Sequence, residues 1–299
     1  MDAISVRGVT KSFSTQRAVD EISFDVPEGS IYGFLGPNGS GKTTTIRMIL
    51  KILIPDSGEI RVLGKDLDDK TSNRIGYLPE ERGLYRSMRV EDQLVFFGAL
   101  HGLSTAEAKR RAHSWLERFD AGDWAMRKIQ ELSKGMQQKV QFIGTVIHDP
   151  DLVILDEPFS GLDPVNTRLL KDVMLEIRAR GATVIFSTHQ MEQVEKSCDR
   201  ILLIHKGRKV VEGLLSRIRQ EHGGDVVQVE YSGELPREAV KDLVESINDH
   251  GQYAEIRLRR EEDAPALLRR LVGACDVRRF QIAEASLDDI FVRVVEAAK

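Results

Sequence analysis

Continuous apolar runs along the first 220 residues alternate with segments whose apolar positions recur at helical spacing. The run at 151–155 is typical of a central parallel strand that is covered on both faces. Similar runs at 31–35 and 182–187 predict two more buried strands. Shorter segments predict further strands at 3–6, 22–26, 57–62, 74–78, 201–204 and 209–211.

Helical spacing of apolar residues is clearest between the strands at 74–78 and 151–155. Val90, Leu94, Phe97 and Leu100 share one face, and the pattern continues to residue 119, so we expect a helical subdomain at about 88–148. Its aromatic stripe is interpreted as core and not as a ligand site. Further helices are expected at 44–50, 133–148 and 165–180.

The segment after the strand at 31–35 matches the phosphate-loop pattern G-x-x-x-x-G-K-[ST] in full. Its glycines let successive backbone N–H groups face one phosphate chain, and the helix that follows adds its positive N-terminal end. Lys42 can reach the β- and γ-phosphates, and the Thr43 hydroxyl can ligate Mg²⁺. The expected nucleotide-contacting residues are Gly36, Pro37, Asn38, Gly39, Ser40, Gly41, Lys42, Thr43 and Thr44.

Two carboxylates, Asp156 and Glu157, end the apolar strand at 151–155. In phosphate-loop NTPases an acidic partner of Mg²⁺ stands at the end of such a strand, which is the position of Asp156. Glu157 could polarise the water that attacks the γ-phosphate. The alternative is that both carboxylates only cap the following turn; with Lys42 and Thr43 present we favour the catalytic interpretation.

The chain changes character after residue 220. Segments at 226–231, 254–258 and 277–282 predict strands, and those at 236–247, 264–271 and 287–295 predict helices. No phosphate loop occurs there. We therefore expect a nucleotide-binding domain at 1–220 and a small, separate α+β domain at 221–299.

Composition limits the partners. The 299 residues are 41% hydrophobic, which is enough for a globular core, and the net charge of −4 offers no basic excess for nucleic acid. The two cysteines lie far apart, so neither a disulfide framework nor a zinc site is indicated. No run of 18 apolar residues occurs, so any membrane-spanning part is expected on another chain.

Several motifs together resemble the ATP-binding subunit of an ABC transporter. They are Gly36–Thr43 and the 152–157 strand, the signature at 132–137, the loop at 160–163 and the switch residue His189. The resemblance implies an α/β fold with a mixed sheet core, a helical subdomain and bound ATP and Mg²⁺. Phe13 falls where this family has its adenine-stacking aromatic, although on the residues alone an ordinary half-buried aromatic was favoured.

The same resemblance implies that two such domains, as a homodimer or a pair, close head to tail around two ATP molecules. Ser133 would donate to the γ-phosphate held by the partner, Gly135 would allow close backbone approach, and Asp163 would also contact nucleotide. His189 would hold the γ-phosphate and position the water. Lys42, Glu157 and His189 are thus the implied catalytic residues. Thr43, Asp156 and Glu80 are the implied Mg²⁺ ligands.

Three positions in two motifs depart from the family pattern. Glu80 stands where the family usually has Gln; a carboxylate still accepts from water or approaches Mg²⁺, but it cannot donate. The signature has Lys134 and Met136 in place of Gly and Gln, while Ser133 and Gly135 are kept. Because Ser133 and Gly135 are kept, we expect function to survive the signature changes; the effect of Glu80 stays open.

The stretch at 76–85 resembles a bacterial export branch that includes sodium-efflux ATPases, and 285–291 resembles the accessory domain of that branch and of drug-resistance relatives. The implied role is to power export of sodium, a drug or another small molecule through a separately encoded permease. The protein would then be cytoplasmic and peripheral on the inner face of the membrane. The alternatives are a soluble ABC-type ATPase acting on the ribosome or nucleic acid, or a regulator without turnover. One phosphate loop, an acidic pI and the intact catalytic residues argue against these.

Overall fold

A computed structural model describes residues 1–14, 16–81, 83–222, 226–283 and 286–297. The chain forms two compact units, Met1–Gly213 and Leu214–Lys299, and each is described by itself. Within the described residues no helix has both the length and the apolar character needed to span a bilayer.

The first unit contains two sheets. A three-stranded antiparallel sheet has the order β2-β1-β4. A six-stranded sheet has the order β5-β6-β7-β3-β8-β9, and its first five strands in this order, including β3, pair in parallel. The strands are β1 (Asp2–Phe13), β2 (Gln16–Pro27), β3 (Ile31–Leu35), β4 (Ser57–Val62), β5 (Ile75–Leu78), β6 (Leu152–Asp156), β7 (Thr183–Thr188), β8 (Arg200–His205) and β9 (Arg208–Leu214).

Seven α-helices of this unit lie within the described residues. They are α1 (Lys42–Ile49), α2 (Asp69–Ser72), α3 (Val90–Leu100), α4 (Thr105–Arg118), α5 (Lys134–Val146), α6 (Pro164–Ala179) and α7 (Met191–Glu195). The main core joins both sheets with α1, as the contact of Phe24 in β2 with Phe34 in β3 illustrates: their ring centroids are 5.2 Å apart. Apolar side chains from both sheets thus hold β3, and the loop after it, in place.

The predicted helical stretch at 90–119 is two helices. Helix α3 ends at Leu100, and α4 begins after Ser104, whose Oγ accepts a hydrogen bond from the Glu107 N–H at 3.2 Å. That bond satisfies one of the free N–H groups of a new helix, which is why the chain restarts there. Helix α5 packs against both α3 and α4.

The second unit has its own hydrophobic core and a four-stranded antiparallel sheet of order β11-β12-β10-β13. The boundary expected after residue 220 falls inside its first helix, and independent folding of either part stays a prediction. The elements are α8 (Leu215–His222), β10 (Val226–Ser232), α9 (Arg237–Val240), β11 (Val244–Asp249), β12 (Tyr253–Leu258), α10 (Ala264–Val272), β13 (Asp276–Ala283) and α11 (Leu287–Ala297).

The helix predicted at 236–247 is wrong over most of its length. Only Arg237–Val240 is helical, and Val244–Asp249 is an edge strand paired with β12. Val240, Val244 and Ile247 stand at spacings of four and three residues, which imitates a helix. Pairing with β12 supplies backbone hydrogen bonds that the local spacing does not reveal.

Candidate nucleotide-binding site

The loop after β3 can be built only with glycine at two positions. Gly36 and Gly41 have φ values of +147° and +110°, in the left-handed region that side chains disfavour. A Cβ at Gly36 would collide with the carbonyl oxygen of Ile204, and one at Gly41 would lie 2.5 Å from that of Ala18. At both positions the loop therefore packs directly against the backbone of a neighbouring segment, with no room for a side chain.

Lys42 lies at the centre of this loop. Its Nζ donates to the Gly36 carbonyl at 2.7 Å and the Pro37 carbonyl at 3.2 Å, and it lies 3.9 Å from Glu157 Oε1. Burial lowers the pKa of the Lys42 ammonium, while the charges of Glu157, Asp156 and Glu80 oppose that shift. The cation and three carboxylates thus share one electrostatic environment.

Asp156 ends β6 with its side chain fully buried. Its Oδ1 accepts from the Ser187 hydroxyl, and its Oδ2 is buried with no hydrogen-bond partner among the described residues. Ser187 Oγ also accepts from the Glu157 N–H at 3.1 Å, so one hydroxyl joins both acidic residues. Because buried polar atoms normally have partners, the unpaired Oδ2 is an acceptor available to a ligand. A hard cation such as Mg²⁺ takes oxygen ligands of this kind, so the site fits one.

Glu157 and His189 form a pair at the mouth of the site. His189 Nδ1 is 2.9 Å from Glu157 Oε1, and because a carboxylate only accepts, Nδ1 carries the proton. The Glu157 side chain is 11% exposed and that of His189 is 45% exposed. Glu157 also has a φ of +50°, which is uncommon for a non-glycine residue and clusters at functional sites. Parallel pairing aligns Asp156 with Ser187, and His189 follows β7 directly, so both acidic residues and the histidine meet at one sheet edge.

A cleft of about 440 Å³ joins these residues. Phe13 lies on its wall, 45% exposed, with Lys11 Nζ 5.8 Å from the ring centroid. Gln16 and Ala18 also line it, although their sequence gives no motif; they reach it because β2 begins beside Phe13. The lining is Phe13, Gln16, Ala18, Asn38, Gly39, Ser40, Gly41, Lys42, Thr43, Thr44, Glu80 and Glu157.

Seven predicted site residues are not part of this lining, and four of them adjoin it. The Gly36 and Pro37 carbonyls accept from Lys42 Nζ. Asp156 directly precedes Glu157, and His189 is hydrogen-bonded to Glu157.

The remaining three predicted site residues are Ser133, Gly135 and Asp163. Ser133 caps α5, its Oγ accepting from the Met136 N–H at 3.3 Å. Asp163 caps α6 and accepts from the N–H groups of Val165 and Asn166 at 2.9 and 3.0 Å. The Asn166 N–H bond comes first among the causes that lower the pKa of Asp163. Within one chain Ser133 and Asp163 are helix caps, Gly135 lies in the first turn of α5, and none of the three lines the cleft of the phosphate loop.

The phosphate loop follows β3, and the acidic pair ends β6 of the same sheet, with β7 between the two strands. This arrangement defines a phosphate-loop ATPase. Residues 19–160 match the family described as ABC transporter, and residues 213–295 match the family "ATP-binding protein DrrA1-3-like, C-terminal domain".

Relatives extend this match to the whole chain. The chain is 41% identical over 294 residues to the uncharacterised ABC transporter ATP-binding protein YhaQ of Bacillus subtilis, covering 98% of this chain and 99% of that one. It is 34% identical over 299 residues to Nod factor export ATP-binding protein I of Mesorhizobium japonicum, covering 98% and 86%. A solved ATP-binding subunit of an ABC transporter superposes with a TM-score of 0.69 at 33% identity, over 74% of this chain and 93% of that one.

The chain belongs to the ATP-binding subunits of ABC transporters. It binds nucleotide and hydrolyses ATP in coupling to transport. The family, the α/β fold and the ATPase activity expected from the sequence are confirmed. A soluble ATPase acting on the ribosome or nucleic acid is not favoured.

Proposed function

We propose that this subunit powers export of sodium, a drug or another small molecule across a membrane. The observation that carries the proposal is that similarity to an export ATP-binding protein covers 98% of the chain. That similarity therefore includes the second unit, which also matches the family of DrrA1-3-like C-terminal domains.

The partners we infer are a separately encoded, membrane-spanning permease and a second ATP-binding domain, as a homodimer or a heterologous pair. The location of Ser133 and Gly135 outside the cleft of their own chain supports the paired arrangement. In that arrangement each signature would face the nucleotide of the partner. Docked on its permease, the protein would lie on the cytoplasmic face of the membrane.

Within the site, Lys42 would bind the β- and γ-phosphates, and Phe13 would stack on adenine. Thr43, Asp156 and Glu80 would hold Mg²⁺, with the unpaired Oδ2 of Asp156 as the best-supported ligand atom. When bound, this ion would neutralise phosphate charge.

Glu157 would accept the proton of the attacking water, because its carboxylate is largely buried and close to Lys42. His189, bonded to Glu157 through Nδ1, would present its other ring nitrogen to the γ-phosphate. The Glu157–His189 bond would thus help to orient both groups.

Everted vesicles that carry this chain and the permease encoded beside it test the proposal. Adding MgATP outside should drive substrate inward, since export from the cell becomes uptake into an everted vesicle. Lys42→Ala and Glu157→Gln should each abolish uptake, and only the first should also abolish ATP binding. Absence of membrane attachment with the permease present, or ATPase stimulation by ribosomes and not by the permease, would contradict export.

A further inference from the structure

Helix α5 contacts the loop that carries Glu80 through one buried amide. Gln141, 5% exposed, has its Nε2 3.4 Å from the Pro79 carbonyl and 3.3 Å from the Glu81 carbonyl. These lengths are at the long end of the hydrogen-bond range, but the amide has two protons for the two acceptors. The acceptors belong to the residues immediately before and after Glu80.

This contact fixes the backbone on both sides of Glu80. The segment follows β5, and Pro79 lies at its start. With both carbonyls held from one side by Gln141, Glu80 lines the ATP cleft together with Lys42 and Glu157. The backbone constraint reduces the directions that the Glu80 side chain can take.

Packing alone does not explain a glutamine at this position. Gln141 Oε1 is buried and accepts no hydrogen bond within the described part of the chain, which is unfavourable for a core amide. An apolar side chain of similar length would leave no such atom. Pro79 is half-buried and Glu81 exposed, so their carbonyls would take water after the substitution.

We propose that Gln141 is the positioning residue that holds Glu80 toward the nucleotide and its Mg²⁺. The proposal rests on the proposed role of Glu80 as a Mg²⁺ ligand. Gln141 itself touches no substrate; it acts through the loop backbone.

The test measures binding and needs no turnover. In the full chain with Glu157→Gln, the Kd of the fluorescent nucleotide mant-ATP is measured in EDTA and in excess Mg²⁺. Gln141→Met should leave the Kd in EDTA unchanged and weaken the Kd in Mg²⁺ about tenfold, as is typical when a residue supporting a metal ligand is lost. Gln141→Leu is a second variant without a donor, in case the first does not fold.

Thr145→Val is the matched control. Thr145 lies one turn further along α5, equally buried, and its hydroxyl donates to the Gln141 carbonyl at 3.0 Å and the Tyr77 carbonyl at 3.4 Å. The Thr145→Val change removes contacts in the same helix and to β5, but it leaves the hydrogen bonds of Gln141 to Pro79 and Glu81 in place. The affinity gained from Mg²⁺ should not change.

A double-mutant cycle with Glu80→Ala separates the two proposals. If each single change removes the same Mg²⁺-dependent affinity and the double change removes no more, Gln141 acts through Glu80. If Glu80→Ala weakens binding and Gln141→Met does not, or their effects add, the positioning role is refuted while the ligand role of Glu80 stands. If Glu80→Ala has no effect, the ligand role itself fails and the positioning role fails with it.

Discussion

Ser187 should matter more to stability than its size suggests, because it joins two acidic residues. Its buried hydroxyl donates to Asp156 Oδ1 and accepts from the Glu157 N–H at 3.1 Å. Replacing it by Ala leaves Asp156 with two unpaired oxygens and Glu157 with an unpaired N–H. A hydrogen bond to a charged group contributes about 1.5–3 kcal/mol. We therefore expect the free energy of unfolding to fall by about 2–3 kcal/mol.

For a unit of 213 residues, a change of 1 kcal/mol shifts Tm by about 2–4 °C. The expected loss for Ser187→Ala is thus about 5–10 °C, measured without nucleotide. Tryptophan fluorescence is the suitable signal, because both tryptophans, Trp115 and Trp124, belong to the first unit.

Thr183→Val is the control for Ser187→Ala. Thr183 lies at the other end of β7 and is equally buried. Its Oγ1 accepts from the Gly29 N–H, a neutral donor, at 3.0 Å. Thr183→Val should lower the free energy of unfolding by about 0.5–1.5 kcal/mol, which is the contribution of a neutral hydrogen bond. Equal Tm losses in the two variants would refute the argument that the buried charge of Asp156 depends on Ser187.

Three further predictions concern the dimer, the boundary and pH. Glu157→Gln protein should dimerise when ATP is added, and adding Ser133→Arg should give a chain that binds ATP but elutes as a monomer; equal dimerisation would contradict the paired site. A chain ending at residue 220 should fold and bind mant-ATP, and an insoluble product would place shared core beyond that point. Burial, then the neighbouring His101, lowers the pKa of His148 to about 4, so stability should fall by about 2 kcal/mol from pH 6.5 to 4 as only the unfolded chain takes up the proton. Chemical denaturation of His148→Phe should show a flatter pH dependence; an unchanged slope would exclude this histidine as the cause.

The sequence predicts best those features that a single segment determines. The strand at 31–35 and the glycines and lysine of Gly36–Thr43 follow one another along the chain, so their pattern specifies the loop completely. The apolar run before Asp156 likewise predicts both a buried strand and the carboxylates at its end. Neither prediction needs knowledge of distant contacts.

Features that depend on pairing between distant segments are missed. The sequence predicts helix over 236–247, where Val240, Val244 and Ile247 share helical spacing. Only pairing with β12 determines that Val244–Asp249 is a strand. Ser187 gives no signal beyond being a polar residue at a strand end, since its partners come from β6. Gln141 is hidden for the same reason: the carbonyls that it contacts lie about 60 residues earlier.

The signature at 132–137 is a further case, because its glycine has no explanation in the described contacts of its own chain. At Gly135 an added Cβ would find its nearest atom, the Gly161 carbonyl oxygen, at an ordinary 3.7 Å, and its φ is not in the left-handed region. Nothing in the described part of the chain therefore requires glycine there, in contrast to Gly36 and Gly41, where backbone excludes a side chain. A small residue beside the N-terminus of α5 leaves room for a group that approaches from outside. The positive end of α5 and the Ser133 hydroxyl favour an anion, and in the proposed pair the ATP held by a second subunit would supply one.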